Sequence, residues 1–355
     1  MKKYLGYYVA AGLLLLSGAI TLLARRHRQL LDAFYPYVTR WLQTALSRIS
    51  GRVSFPLWQV LLIGLTAALV AILVALIRKK RNLVRFFGWV LAAVCLLRCG
   101  HVAIYGLNQY AGPLAQDLRL QVQAVTREDL EAAAQYFQAE AGRLAAQMPR
   151  DDSGQISPQS FSRLTRQAAV GFEQLTLQGY AVFSGSTQPV KALLFPRLFS
   201  ALQTEGVIVP LTGEAAADPT LPQLVLPFAL CRQMARRMCI APSEDAAFAA
   251  FLACISNSDI RFQYSGYATA YRLCGSALAK EDPAALQQIH PQADPRLQQD
   301  LAVFHPVFPT EQTRGVTLLV SWYLQQTRLQ EAPPENKFDP TDKNYISGIL
   351  GDTNE

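Results

Sequence analysis

The sequence predicts a mainly α-helical membrane protein, in which three N-terminal transmembrane helices precede a mostly helical domain with a short β element. Two observations lead to this prediction. Three long apolar runs lie within the first 110 residues, and helix caps and apolar residues at helical spacing dominate the rest of the chain. We therefore expect a membrane domain over residues 1–110, a second folded domain over residues 111–330 and a flexible polar tail over residues 331–355.

The charges are distributed unevenly between these parts. The first 110 residues contain 14 Lys and Arg residues and one acidic residue, Asp32, whereas the remaining 245 contain 19 Lys and Arg residues and 25 acidic residues. A nucleic-acid-binding protein concentrates positive charge on its folded domain, so we expect no nucleic-acid partner. Six cysteines in 355 residues are also too few for a small disulfide-stabilised fold.

The first apolar run, residues 4–24, carries no charge. As a helix it would be about 31 Å long, which matches the hydrocarbon core of a bilayer. A cleaved signal peptide is the alternative, because Lys2 and Lys3 resemble its basic start. The run is long for a signal peptide, and it ends in Ala24-Arg25-Arg26 without a cleavage site of small residues, so a membrane anchor is favoured.

The second and third spans are expected over residues 55–77 and 86–107. The third span contains Arg98 and His101, which are three residues apart and therefore share one helical face. Charged side chains at this depth usually face the interior of a helix bundle or extend to the membrane surface. We therefore expect Arg98 and His101 to have a packing role.

A dense basic cluster at residues 78–85 separates these two spans. Such clusters stay in the cytoplasm, so the chain after residue 110 is expected outside it. The loop over residues 25–54 contains six arginines of its own, so this orientation depends on the density of the cluster. Apolar residues at helical spacing in the loop predict an amphipathic segment that lies flat on the lipid bilayer, with its Arg side chains toward the headgroups.

The second domain begins with two helix signals. Thr126 and Asp129 have the spacing of a capping box, which predicts a helix to about residue 148. Ser157 and Pro158 have the pattern of an N-cap and a first-turn proline, which predicts a helix to about residue 177. One or two short strands are expected at residues 206–210 and 223–226, and further helices at residues 227–240, 243–256, 260–280 and 311–330.

Several short motifs occur in an order that resembles a known family. They are Tyr35-Pro36-Tyr37, Leu46-Ser47-Arg48-Ile49, Pro210-Leu-Thr-Gly-Glu-Ala215, Leu226-Pro-Phe228, Ala246-Ala-Phe248, Phe251-Leu-Ala-Cys254 and Phe262-Gln-Tyr-Ser-Gly-Tyr267. On these residues the chain resembles the bacterial membrane proteins of domain of unknown function 3810, whose members look like zinc metallopeptidases. The resemblance implies a zincin-like domain with an HExxH helix, and it fades after about residue 310.

The sequence departs from this family at the HExxH motif. That motif needs two imidazole ligands four residues apart, a glutamate general base and a third ligand from elsewhere. Here the positions are Arg232, Gln233 and Arg236, and the third-ligand position of the family falls on Asp245. A guanidinium has no lone pair for a metal, and an amide is no general base. We therefore expect no catalytic residue, no metal and no cofactor at this site.

The replaced positions allow three interpretations. Arg232 and Arg236 could form ion pairs with Asp245 or Glu244, they could form a solvated cationic stripe, or they could bind an anion. Glu214, Glu244 and Tyr264 are further candidates for lining or supporting a groove.

Two cysteines allow a further alternative. Cys254 and Cys274 could form a disulfide outside the cytoplasm, although simple buried thiols are favoured.

The resulting hypothesis is a pseudoenzyme: a catalytically inactive, multi-pass cell-membrane relative of a zinc metallopeptidase. Its C-terminal domain would act outside the cytoplasm as a binding, regulatory or structural module of the cell envelope, with a peptide or a membrane protein as partner. An active membrane-bound hydrolase that uses other residues is the alternative. A purely structural membrane protein is a third possibility. The residue types at positions 232–236 are the feature that distinguishes the inactive relative from the active hydrolase.

Overall fold

The computed structural model describes residues 3–79, 83–201, 204–302 and 313–331. Its N-terminal part consists of four long helices, α1 (Leu5–Arg26), α2 (Arg28–Ser50), α3 (Leu57–Arg78) and α4 (Leu83–Ile104). Helices α1, α3 and α4 each have 22 residues and are apolar enough to cross a membrane. This confirms the mainly helical class and the three candidate spans of the sequence prediction.

Ten further helices and three strands follow within the described residues. The helices are α5 (Leu114–Asp117), α6 (Arg127–Ala145), α7 (Phe161–Leu177), α8 (Pro196–Ala201), α9 (Leu226–Arg237), α10 (Ser243–Ile255), α11 (Ile260–Glu281), α12 (Pro283–Ile289), α13 (Pro295–Leu301) and α14 (Thr313–Glu331). The strands are β1 (Lys191–Ala192), β2 (Gly206–Val209) and β3 (Glu214–Ala217). The predicted tail lies outside the described residues after Glu331.

Helices α1 and α4 pack side by side and run in the same direction. Gly6 and Gly88 meet near their N-terminal ends, where a Cβ on Gly6 would lie 2.5 Å from the carbonyl carbon of Gly88. Ala24 and Val102 belong to one buried cluster near the opposite ends. Small residues allow membrane helices to approach this closely. In contrast, no residue in the apolar stretch of α3 that is long enough to cross a membrane is buried inside the protein.

Helix α2 buries a polar face against the second half of the chain. The side-chain amide of Gln43 donates to the carbonyl oxygen of Pro210 at 3.0 Å, and the hydroxyls of Ser47 and Ser186 lie 2.6 Å apart. Arg40 was expected to reach toward headgroups, and this was wrong. Its guanidinium donates to the carbonyl oxygens of Met238, at the end of α9, and Ala181, because the second half of the chain packs close to this side of α2.

The core of the second half is a layer of helices around α9, α10 and α11. Helix α9 packs on α10 and α11, α6 and α14 cover α11, and α7 covers α10. The largest buried side chains include Phe137, Phe172, Phe248, Phe251 and Phe262. The predicted helices of this region are confirmed within a few residues at each end. The capping box is also confirmed, since the Thr126 side chain accepts from the Asp129 amide at 3.1 Å.

The three strands form a small sheet in the order β1-β3-β2, with β3 parallel to β1 and antiparallel to β2. The predicted strand at residues 206–210 is confirmed as β2. The strand predicted at residues 223–226 is wrong, because these residues form a turn that leads into α9. The carbonyl of Pro222 accepts from the amides of Val225 and Leu226. Because these two amides are used within the turn, they form no hydrogen bonds with a neighbouring strand.

Two other predictions have an outcome in the structure: the helix start at Ser157 is wrong, and the buried thiols favoured for Cys254 and Cys274 are observed. Ser157 and Pro158 do not begin α7, which starts at Phe161. The Ser157 amide instead donates to the Pro149 carbonyl at 2.9 Å, so this segment closes the loop after α6. All six cysteines carry free thiols, so Cys254 and Cys274 form no disulfide.

The close approach of α1 and α4 generates a test. Replacing Gly6 with Leu inserts a side chain where backbone atoms of α4 lie, and overpacking of this kind destabilises by about 1–3 kcal/mol. We expect a clear fall in the thermal unfolding temperature of the purified protein in detergent.

The matched control for this test is Gly12→Leu on the same helix, because nothing lies within 4 Å of a Cβ at Gly12. Its unfolding temperature should stay near that of the unsubstituted chain. Equal losses for the two variants would contradict the described contact between α1 and α4.

Candidate functional site

Arg232, Gln233 and Arg236, which the sequence analysis compared with an HExxH motif, lie on α9, and this helix is buried on nearly every side. The proline after Leu226 starts the helix at its first turn, where a missing backbone N–H does no harm. Arg232 and Gln233 are only 7% and 0% exposed. The solvated cationic stripe is therefore the wrong interpretation, because β2, β3, α7, α10 and α11 all pack against α9.

Arg232 forms a buried ion pair. Its guanidinium donates to Glu205 Oε1 at 2.8 Å and to the hydroxyl of Ser243 at 2.6 Å, and the side chains of the ion pair are 9% and 8% exposed. An ion pair was expected here, but with Asp245 or Glu244. The actual partner precedes β2, which reaches α9 only because the sheet folds back over the helix.

Gln233, at the position where the resemblance implies a general base, lies against β2. A Cβ on Gly206 would be 2.8 Å from Gln233 Cγ, so glycine is required for this close approach. Neither the oxygen nor the nitrogen of the Gln233 amide has a hydrogen-bond partner among the described residues. Leaving such a group unpaired costs about 1–3 kcal/mol, so the position is not optimised for stability alone.

A second arginine lies near this ion pair. Burial lowers the pKa of Arg272 to about 10, with Glu205 opposing and Arg232 reinforcing that shift. Arg237, the residue after Arg236, is also buried, and it donates to the carbonyl oxygens of Ser186 and Gln188. Two guanidiniums, those of Arg232 and Arg272, therefore interact with the Glu205 carboxylate, whereas Arg237 binds backbone carbonyls.

Arg236 is half-buried at the end of α9. Its carbonyl oxygen accepts from the hydroxyl of Tyr105 at 3.0 Å, so this turn contacts the chain that leaves α4. The expected pair of Arg236 with Asp245 or Glu244 is wrong for the part of the chain that the structure describes, since its ion pairs include none with Arg236. The physical reason is that Asp245 has another cationic partner.

Asp245 and Glu244 meet the start of α14. Asp245 is 1% exposed; it accepts from the Leu114 amide at 3.2 Å and from Arg314 at 3.1 Å. Burial raises the pKa of Asp245, and the Leu114 amide and Arg314 oppose this. Burial also raises the pKa of Glu244, while the charge of Arg314 and the backbone amides of Arg314 and Gly315 lower it.

Glu214 joins the sheet to the membrane helices. Its carboxylate accepts from the amides of Leu57 and Trp58 at 2.8 and 2.9 Å, which are unpaired donors at the start of α3. Lys191 lies 2.5 Å from the same carboxylate and also donates to the Ser50 carbonyl at 2.8 Å. Glu214 therefore supports the junction between α2, α3 and β3 rather than the region around Arg232.

Tyr264 supports the helical core. Its hydroxyl donates to Asp300 Oδ2 at 2.7 Å. The two terminal nitrogens of the Arg150 guanidinium donate to the same carboxylate at 2.7 and 3.1 Å. Burial raises the pKa of Tyr264, with the Asp300 carboxylate adding to the shift. Thus Glu214, Glu244 and Tyr264 contact three separate parts of the fold and do not line one groove.

The residues at the replaced motif do not fit a zinc ion. Zinc needs neutral imidazole, thiolate or carboxylate donors, usually four in a tetrahedron. Arg232 and Arg236 present cations, and the carboxylate of Asp245 already accepts from Arg314. Among the described residues no group of three or more His, Cys, Asp and Glu side chains could hold a metal.

A cavity next to Asp245 was missed by the sequence analysis. It has a volume of about 620 Å³, and its lining includes Arg28, Tyr110, Gln116, Pro242 and Arg314. Arg314 therefore faces both the cavity and the Asp245 carboxylate. These residues come from the start of α2, the segment after α4, the residue before α10 and the start of α14. No local pattern connects them, so only the folded chain reveals the cavity.

Comparison with known proteins gives one match. The family model described as "Protein of unknown function (DUF3810)" matches residues 34–310, which is more than half of the chain. No curated protein and no solved structure matches this chain.

The buried pair of Arg232 with Glu205 generates a test of its role. Replacing Arg232 with Met leaves the Glu205 carboxylate buried without its cation, which typically destabilises by about 3–5 kcal/mol. Replacing Arg236 with Met, at a half-buried position without a described carboxylate partner, should cost at most about 1 kcal/mol. Chemical denaturation of both variants in detergent compares the two losses.

The double variant Arg232→Met with Glu205→Met is the control for charge. It removes both ions and should recover much of the lost stability. A loss at Arg236 as large as that at Arg232 would contradict the assignment of the ion pair.

Proposed function

This chain belongs to the DUF3810 family, and we propose that it is a membrane-anchored, catalytically silent relative of a zinc metallopeptidase. The observation that supports this proposal most directly is the chemistry of α9. Arg232 occupies the first ligand position and donates to Glu205 and Ser243. Its guanidinium therefore sits where a metal ligand would be needed and repels a dication.

The proposal assigns a binding role to the second half of the chain. The cavity of about 620 Å³ adjoins Asp245, the position of the third ligand in the family pattern. The volume lies within the range of ligand sites, and the lining combines apolar side chains with a similar share of polar ones, including Arg28, Gln116 and Arg314. We infer that a segment of a peptide or membrane protein occupies it, and that the protein regulates or organises that partner at the cell envelope.

The proposal also gives the chain an orientation. The end of α1 near Lys3 lies beside the start of α4, which carries Arg85. Arg78 and Lys79 end α3, shortly before α4 begins. The connection at the opposite end also contains arginines, among them Arg25, Arg26 and Arg28. We infer that the end with the denser basic cluster is the cytoplasmic one. The second half of the chain follows the opposite end of α4 and would lie outside the cytoplasm.

Metal analysis tests the catalytic part of the proposal. We expect mass spectrometry of the purified protein to find no stoichiometric zinc, and peptide substrates to remain intact. The combined variant Arg232→His, Gln233→Glu and Arg236→His restores the family motif and is the positive comparison for metal uptake. One zinc per chain in the unsubstituted protein, lost on replacing Asp245, would show an active hydrolase with other ligands.

Reporter fusions test the orientation. Alkaline phosphatase, which folds only outside the cytoplasm, should be active when it is fused to the C-terminus of the full chain. Green fluorescent protein at the same position should be dark after export, and it should fluoresce when inserted at the connection between α3 and α4. The reverse pattern would place the second half of the chain inside the cell.

A site-specific crosslinker tests the binding role. A photoreactive residue at Gln116, in the lining of the cavity, should give a discrete adduct in intact cells. The Arg28→Glu variant, which changes the charge of the same lining, should weaken that adduct. A photoreactive residue at Ala284, which is exposed on α12, is the control. Equal adducts at both positions would argue against a partner in the cavity.

A further inference from the structure

The two ends of α2 are tied to the same end of the membrane spans. Helix α1 ends at Arg26 and α2 begins at Arg28, whereas α2 ends at Ser50 and α3 begins at Leu57. Since α1 and α4 run in the same direction and α3 precedes α4 by a short connection, α3 starts at the face where α1 ends. Helix α2 is about 34 Å long, so it lies along that face.

The exposed side of α2 is apolar. Phe34, Tyr37, Trp41 and Ile49 are 58%, 63%, 71% and 61% exposed. The opposite side, toward the second half of the chain, buries polar residues such as Gln43 at 2% exposure. A helix on a water-soluble surface has the reverse arrangement, with its apolar side buried. The inverted pattern indicates that something other than water covers the exposed side.

A second apolar patch lies beside the start of α3. Phe195 and Leu198 are 52% and 59% exposed. The backbone amide of the neighbouring Leu194 donates a hydrogen bond to Gln59 Oε1 of α3 at 2.9 Å. Phe195 and Leu198 therefore lie at the depth of the first turn of α3.

A third exposed apolar side chain lies beside the end of α4. Leu211 is 41% exposed, and its Cδ2 atom is 3.7 Å from the position that a Cβ on Gly100 would take. Gly100 is in the last turns of α4. Thus side chains from α2, from the region of α8 and from the turn after β2 all lie where the spans leave the hydrocarbon core.

We propose that these three patches form one membrane seat, defined as the exposed side of α2 together with Phe195, Leu198 and Leu211. Its partner is the lipid surface of the bilayer that the spans cross. Tyr and Trp side chains favour the boundary between hydrocarbon and headgroups, and apolar side chains enter the outer part of the acyl layer. The second half of the chain is therefore held against the membrane and does not project away from it.

The membrane seat has a consequence for the cavity. Arg28, in the first turn of α2, lines that cavity, so the seat brings its rim near the lipid headgroups. A partner would then reach it along the membrane surface. This consequence rests on the proposed binding role, whereas the seat itself does not.

Spin labels on the full chain in lipid nanodiscs test the seat. A nitroxide at Leu198→Cys, and separately at Phe195→Cys, should collide several-fold more often with oxygen, which concentrates in lipid, than with a water-soluble nickel complex. The control is Ala284→Cys on α12, a short exposed helix that packs on α6 and α11. Its label should show the reverse ratio.

Several outcomes would overturn the seat. Labels at Leu198 and Phe195 that collide with nickel as often as the label at Ala284 would place the patch in water. Labels protected from both reagents would show a covering protein instead of lipid. The unsubstituted chain is labelled in parallel to subtract its own cysteines, and circular dichroism confirms that each variant is folded. If the crosslinked adduct at Gln116 is absent while the ratios of oxygen to nickel collisions are as expected, only the binding proposal is contradicted.

Discussion

The ion pair between Lys191 and Glu214 connects the membrane part of this protein to the rest. Its side chains are 8% and 0% exposed, and each makes a second set of contacts. Glu214 satisfies two amides at the start of α3, while Lys191 donates to the carbonyl of Ser50 at the end of α2 and to that of Phe55 in the connection to α3. Because the adjacent strands β1 and β3 carry these two residues, the sheet positions both membrane-proximal helix ends. Removing either ion would leave the other buried and unpaired, which is among the most destabilising changes in a core.

A second buried ion pair explains how Arg232 is accommodated in a packed core. Its guanidinium supplies the positive charge that offsets the buried carboxylate of Glu205. A guanidinium cannot activate water or polarise a carbonyl as a Lewis acid does. The unpaired amide of Gln233 shows that the site is not a fully satisfied core, which suits a region under constraints other than stability.

The polarity of α2 links these local features to the membrane. Its buried side carries Gln43 and Ser47, whose hydrogen bonds join it to the second half of the chain, and its exposed side is apolar. Polar contacts toward protein and apolar contacts toward lipid are what a bilayer requires, because lipid tails offer no hydrogen bonds. The same helix therefore connects two spans and packs between the membrane surface and the second half of the chain.

The sequence by itself determined the elements whose signals are local. The length of the three apolar runs predicted the three spans. Helix caps and apolar residues at helical spacing predicted α6, α9, α10 and α11. The sequence also showed that Arg232, Gln233 and Arg236 offer no zinc ligand and no general base, because ligand chemistry depends on residue type. The strand at residues 214–217 was missed, since Ala-rich segments have little strand preference and this one pairs only because β1 and β2 flank it. The partners were likewise hidden: Arg232 pairs with Glu205 and Asp245 with Arg314. Ion pairs form between side chains that folding brings within a few ångströms, and that proximity depends on the packing of distant segments, which no local pattern encodes.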